Sequence, residues 1–184
     1  MKIKKANALV GLLITALLLV HVTYEVIMYV TFQYDPVTTA VIGYGFGALV
    51  MVHVVLSILS LTKLHDGSRL KTYPKLNART ILQRASAAGI LLLLPVHIKT
   101  GDWVASKTGG PGFFAFLMIL GVLFHLMLFI HIAASLSRAL ITLGLIESRK
   151  TQRTVDILTA LLCAAAFIFA CRVIISTQIF LFTM

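Results

Sequence analysis

The sequence predicts an all-α integral membrane bundle of five transmembrane helices, and three observations carry that expectation. Hydrophobic residues make up 59% of the 184 and charged residues 12%, more apolar surface than a water-soluble globule of this size can bury. The apolar residues fall into five runs, 8–30, 39–62, 80–98, 112–137 and 154–182, each close to or above the ~20 residues that a crossing needs. Between them lie charged or turn-forming segments such as KLHDGSRLKTYP, which starts at Lys63. The whole chain, 1–184, reads as a single membrane domain.

The first run opens with MKIKKANALVGLLITALLLV, which imitates a signal peptide. No small-residue cleavage site follows, and the run continues through Val30, so a retained helix is expected. In the second run GYGFG, Gly43 to Gly47, reads as close helix packing through small residues four apart. In the third, Pro95 removes a hydrogen bond to the Leu91 carbonyl and should kink the helix just before His97. In the fifth, Cys163 and Cys171 are eight residues apart on one rod, too far to bond to each other. No C-x-x-C-H, C-x-x-C, Gly-rich phosphate loop, G-x-S-x-G elbow or internal repeat is present.

Orientation follows from the 16 basic residues. Thirteen lie in the N-terminal tail, between Lys63 and Arg84, or between Arg138 and Arg153, all on one side of the bundle. Short cytoplasmic loops carry such an excess, so the N-terminus is expected in the cytoplasm and the C-terminus outside, in the cell's inner (cytoplasmic) membrane. The net charge of +10 then reflects topology, and a nucleic-acid partner is excluded.

Five of the six histidines fall inside apolar runs: His21, His53, His97, His125 and His131. One intramembrane histidine is as readily a hydrogen-bonded packing residue as a ligand. Four successive helices each supplying one point to a cofactor, because imidazole suits iron and a helix bundle builds such sites from facing helices. A b-type haem takes two histidines, one on each face. At ~1.5 Å per residue, His21 lies about 24 Å from Lys5 and His97 about 20 Å from Arg84, both toward the outer leaflet. His53 lies about 15 Å from Lys63, in the inner half. On helix four His131 is about 10 Å and His125 about 20 Å from Arg138, so depth leaves both open as the partner of His53.

Two stretches carry a family resemblance: ILQRASAAGILLLLPVHI, Ile81 to Ile98, and HIAASLSRALITLG, His131 to Gly144. They resemble the dihaem cytochrome b membrane subunit of the succinate dehydrogenase and fumarate reductase (succinate:quinone oxidoreductase) family. The spacing of Gln83 before His97 on helix three, and of His131 before Arg138 and Gly144 on helix four, matches that family, and the resemblance spans helices one to four. The resemblance implies two haem b groups, the outer held by His21 and His97 and the inner by His53 and His131, which favours His131 over His125. It also implies an exchangeable menaquinone or ubiquinone, and a flavoprotein with or without an iron–sulfur subunit docked on the cytoplasmic face around Lys63 to Arg84. Where family members proposed to carry protons beside the haem have a glutamate two residues before the fourth ligand, this chain has Phe129.

Charged and polar residues near the spans fit the same scheme. Arg172 is at a depth for an outer-haem propionate or, equally, snorkels outward. Arg79, Arg84 and Arg138 are candidates for the inner propionates and serve equally as positive-inside anchors. Gln83 and Ser86 lie within about 40° of the His97 direction, so they line an inner pocket or, by preference, bond to neighbouring helices. Glu25, four residues after His21, shares its helix face, with Tyr24 beside it and Tyr34, Asp35, Lys99, Asp102 and Trp103 in the adjoining outer loops. It is placed to exchange a proton with a quinone, or else to pair with Lys99 or Arg172 and hold helices together. The expected function is electron transfer between a membrane quinone and a cytoplasmic redox partner. The competing readings are a haem-free anchor and a proton-coupled transporter that uses His21 and Glu25. The dihaem membrane subunit of nitrate reductases needs histidines on its last helix, and helix five has none.

Overall fold

The structure, a computed structural model, describes residues 2–31, 35–63, 74–105 and 109–183. Five α-helices make up nearly all of it: α1 Lys2–Thr31, α2 Pro36–Lys63, α3 Pro74–Ala105, α4 Pro111–Leu143 and α5 Arg149–Thr183. Each is long and apolar enough to cross a membrane, and the chain is a multi-pass membrane protein.

Every helix outruns the apolar segment that announced it. Backbone hydrogen bonding continues into polar flanks at headgroup depth, where hydropathy has already fallen. The largest departure is α3, which starts at Pro74 and passes residue 98 to reach Ala105. Pro95 sits in its interior without ending it. In an apolar span, one missing ladder bond is tolerated when surrounding groups satisfy the carbonyl it frees.

Local chemistry sets the helix ends. α2, α3 and α4 open on proline, whose fixed φ suits the first turn and whose missing N–H is not needed there. Ahead of Pro36, the Asp35 carboxylate accepts the backbone N–H groups of Val37 at 3.1 Å and Thr38 at 3.3 Å, and the Thr38 hydroxyl as well. Asp35 is therefore the N-cap of α2, a structural role that the sequence did not reveal. At the other extreme α4 stops at Gly144, whose φ of 80° admits the left-handed turn. There the Gly144 N–H donates to the Ile141 carbonyl and the Leu145 N–H to the Leu140 carbonyl, closing a Schellman motif.

The chain forms two compact units. The first holds α1, α2 and residues 138–148, and the second holds α3, α4 as far as Ser137, and α5. In the first unit α1 and α2 pack against each other in antiparallel fashion. The GYGFG glycines do not make that contact: a Cβ at Gly43, Gly45 or Gly47 would meet open space among the described residues. Phe46, between them, packs on α1 instead, and Tyr44 is 80% exposed. In the second unit α4 touches α5 through Gly121 with Ile174 and Phe129 with Phe167, and α3 through Gly89 with Met127.

The Asp35 cap has a pH signature. The Thr38 hydroxyl, with the Val37 and Thr38 amides, holds its carboxyl below the usual carboxylate range. Its contribution is therefore complete above the ordinary carboxylate pKa of about 3.9 and is lost as pH falls through the lower folded value. Amide exchange at Val37 and Thr38 in micelles, corrected for intrinsic rates, should stay slow at neutral pH and accelerate only in strong acid. Asp35→Ala should be fast at every pH, and a wild-type profile in that variant would remove the cap from the account.

Candidate histidine sites

Within the first unit, polar and small residues line the seam between α1 and α2. Nearest the basic end, Asn7 and Ser57 exchange hydrogen bonds at 3.1 and 3.3 Å. One turn further, Gly11 faces His53, and a Cβ there would come within 3.3 Å of the His53 Cε1 atom. A side chain here would press on the imidazole, and glycine lets the ring lie this close to the α1 backbone. Beyond it, His21 stacks on Phe46 at 5.7 Å and 12°, and its buried Nδ1 has no hydrogen-bond partner among the described residues. At the far end the Tyr24 hydroxyl lies 3.3 Å from both the Asp35 carbonyl and the Thr39 hydroxyl, tying α1 to the cap of α2. His53 and His21 thus occupy two tiers, separated by about 10–15 Å of helix rise.

Two tiers also form in the second unit. Nearer the basic end, the His131 Nδ1–H donates to the Gln83 carbonyl at 3.0 Å, and the same carbonyl accepts the Ser86 hydroxyl at 3.0 Å. The Ser86 oxygen stands 3.4 Å from the His131 Nδ1, and Ser86 is 1% exposed. Because a carbonyl can only accept, the proton is fixed on Nδ1 and Nε2 carries the lone pair. In the other tier His97 stacks on Phe124 at 4.3 Å and 11°, with His125 edge-on at 5.8 Å. His125 Nδ1–H donates to the Gly121 carbonyl one turn back, at 2.8 Å. His125 is therefore level with His97, and His131 is level with Gln83 and Ser86.

The sequence expected Gln83 and Ser86 on the inward face of α3, and the structure brings the Ser86 hydroxyl and the Gln83 main-chain carbonyl to His131. It missed Asp156. That carboxylate binds the Arg79 guanidinium through both oxygens, at 2.9 Å to Nη1 and 2.7 Å to Nη2. Arg79 also donates to the Ala134 carbonyl at 2.9 Å, the Ala133 carbonyl at 3.3 Å and the Ser137 hydroxyl at 2.8 Å. It is thus committed within the protein and not held out toward a propionate. The missed signal was an acid at the third residue of the fifth apolar run, which calls for a cation.

Arg84 and Arg138 are half-buried and Arg172 is exposed on α5. Glu25 is half-buried and makes no hydrogen bond or ion pair among the described residues. Trp103 belongs to α3, not to a loop, and meets Phe113 edge-on at 5.6 Å. Tyr34, Lys107 and the loop 64–73, the centre of the expected docking surface, lie outside the described residues.

Among the described residues, no three metal-binding side chains gather, so the histidines offer pairs and single ligands, not a zinc-type cluster. The donor set fits a bis-imidazole haem. His131 donates its Nδ1–H to a main-chain carbonyl, as metal-bound histidines commonly do, and the missing Cβ of Gly11 leaves room for the His53 ring against α1. Filling that room should be felt: Gly11→Leu overpacks the seam and should destabilise the protein by about 1–3 kcal/mol, measured by SDS titration. An unchanged midpoint would mean that Gly11 does not set the His53 position. No protein-family model, curated protein or solved structure matches this chain.

Proposed function

We propose that this protein is a dihaem cytochrome b that carries electrons between a membrane quinone and a redox partner at its basic, cytoplasmic face. The observation that supports it is the separation of membrane-embedded histidines into two tiers within each unit, His53 and His21 in one, His131 and His97 in the other. Two haems, one per tier, use one histidine from each of the first four helices, with His21 and His97 as outer ligands and His53 and His131 as inner ones. The level of His125 beside His97, which leaves His131 alone in the inner tier of α4, favours His131 as the ligand from that helix. Bound haem iron supplies one-electron chemistry at each tier.

The chain's own residues prepare those positions. The Gln83 carbonyl keeps the His131 proton on Nδ1 and aims Nε2 away from it. Phe46 and Phe124 hold the His21 and His97 rings by stacking and keep water from them. Quinone chemistry also moves protons, and Glu25 is the carboxylate placed to pass one beside His21. A flavoprotein, with or without an iron–sulfur subunit, would dock on the basic face, which the net charge of +10 makes attractive to an acidic partner. The setting is the cell's inner membrane.

Purified protein should show a reduced-minus-oxidised b-type spectrum, and pyridine haemochrome analysis should give close to two haems per chain. His21→Ala, His53→Ala, His97→Ala and His131→Ala should each lose one, and His125→Ala none. A colourless protein would reject the proposal in favour of a haem-free anchor or a proton-coupled transporter. Loss of haem in His125→Ala but not in His131→Ala would reassign α4. Glu25→Gln keeps shape while removing the titratable proton, so quinol-linked turnover should fall by about 10²-fold or more with both haem spectra intact. Unchanged turnover would leave Glu25 structural.

A further inference from the structure

Arg79 lies one turn before Gln83 on α3, and its acceptors on α4, Ala133, Ala134 and Ser137, lie two to six residues after His131. The Arg79 clamp and the Gln83–His131 bond are therefore consecutive rungs of one seam between α3 and α4. Each rung is polar, and the helices that carry the rungs are long and apolar enough to cross a membrane. The first rung is over-determined: one planar guanidinium donates to two main-chain carbonyls, one hydroxyl and both oxygens of one carboxylate. Three of these acceptors fix α4 against α3 both along and around its axis, and the fourth, Asp156, brings in α5. Ser137 is 1% exposed, so its hydroxyl has no water to turn to.

A helix end held this firmly goes beyond what anchoring needs. A slip of α4 by one residue, about 1.5 Å, would break the 3.0 Å bond from His131 Nδ1 to the Gln83 carbonyl. That bond selects the tautomer and the direction of Nε2. We infer that Arg79, neutralised and held by Asp156, is a positioning residue for His131, locking the register in which the Gln83 carbonyl and Ser86 fix the ring. Lysine cannot take its place, because a point donor cannot span carbonyls on one helix and a carboxylate on another. Asp156 removes the penalty of an unpaired charge at this depth; both side chains remain about a third exposed, at 32% and 30%, so the clamp is reached from the headgroup layer and not sealed in the core.

This inference rests on the haem reading, and the two fail differently. The variants are Arg79→Lys and Asp156→Asn, both conservative in size, with His131→Ala as reference. Haem transfer to excess apomyoglobin and the low-spin EPR signals are recorded for each site. Both variants should assemble with two haems, lose the inner one about 10-fold faster than wild type and shift its signal alone. Wild-type kinetics and signals in both, or equal loosening of the two haems, would overturn the positioning role. If His131→Ala keeps both haems, the ligand assignment has failed instead. The clamp is then judged on haem-free protein by NMR of isotope-labelled histidine: His131 should hold the Nδ1–H tautomer in wild type and become mixed in both variants. An unmixed signal in the variants would end the inference.

Discussion

A polar side chain inside hydrocarbon has no water to turn to, and that constraint decides where the helices of each unit meet. Aliphatic side chains give little direction here, because lipid tails are as apolar as leucine and helices gain nothing by hiding one from the other. Direction comes from groups that must find a partner. In the first unit these are Asn7 with Ser57, His53 beside Gly11, and Tyr24 with the Asp35 and Thr39 oxygens. In the second they are Arg79 with Asp156 and Ser137, and His131 with Gln83 and Ser86. Ser86 and Ser137 are as buried as Leu117, each at 1% exposure. The interior of this protein is set by polar seams as much as by apolar filling.

The seams also explain why the histidines fall on distinct levels. Along α1 and α2, polar or aromatic contacts recur about every one to three turns, and a histidine occupies two of those rungs. Along α3 and α4, the same spacing puts Arg79 first, His131 next, Met127 against Gly89, and then His97 with Phe124. A ligand that occupies a rung inherits the rigidity of its neighbours. Small residues supply the clearance: Gly11 and Gly89 each sit where a side chain would press on the group across the seam, His53 in one case and Met127 in the other.

What could be read from the sequence and what could not divides along the range of the interactions. Five spans follow from composition averaged over about 20 residues, and that average is insensitive to detail. The histidines stood out because each is rare against its surroundings. Pairings across helices were harder. Gln83 and Ser86 could be placed on an inward face by their angle about the axis, yet nothing in that angle names His131 as the group they meet. Arg79 was counted with five other basic residues as an orientation signal, and Asp156 was passed over; only the folded seam joins them. Asp35 looked like a loop carboxylate beside a quinone site, and Pro36 after it was the unread sign of a helix start. GYGFG erred the other way, because small residues permit close approach without requiring it, and Phe46 among them makes the contact.

Arg79 shows how one residue satisfies two rules that act at different times. The positive-inside bias is read during insertion, from lysines and arginines close to the ends of spans, and acidic residues weigh little in it. At that stage Arg79 counts with the other basic residues of its side, whatever it later binds. Once α3, α4 and α5 associate, the same guanidinium turns inward to Asp156 and ceases to be an anchor. An arginine that stayed at the surface would have given topology alone, and a buried pair with no excess of basic neighbours would have given packing alone. The surplus of basic residues lets this chain commit one to packing without weakening its orientation, and that one holds three helices one turn from the level of His131.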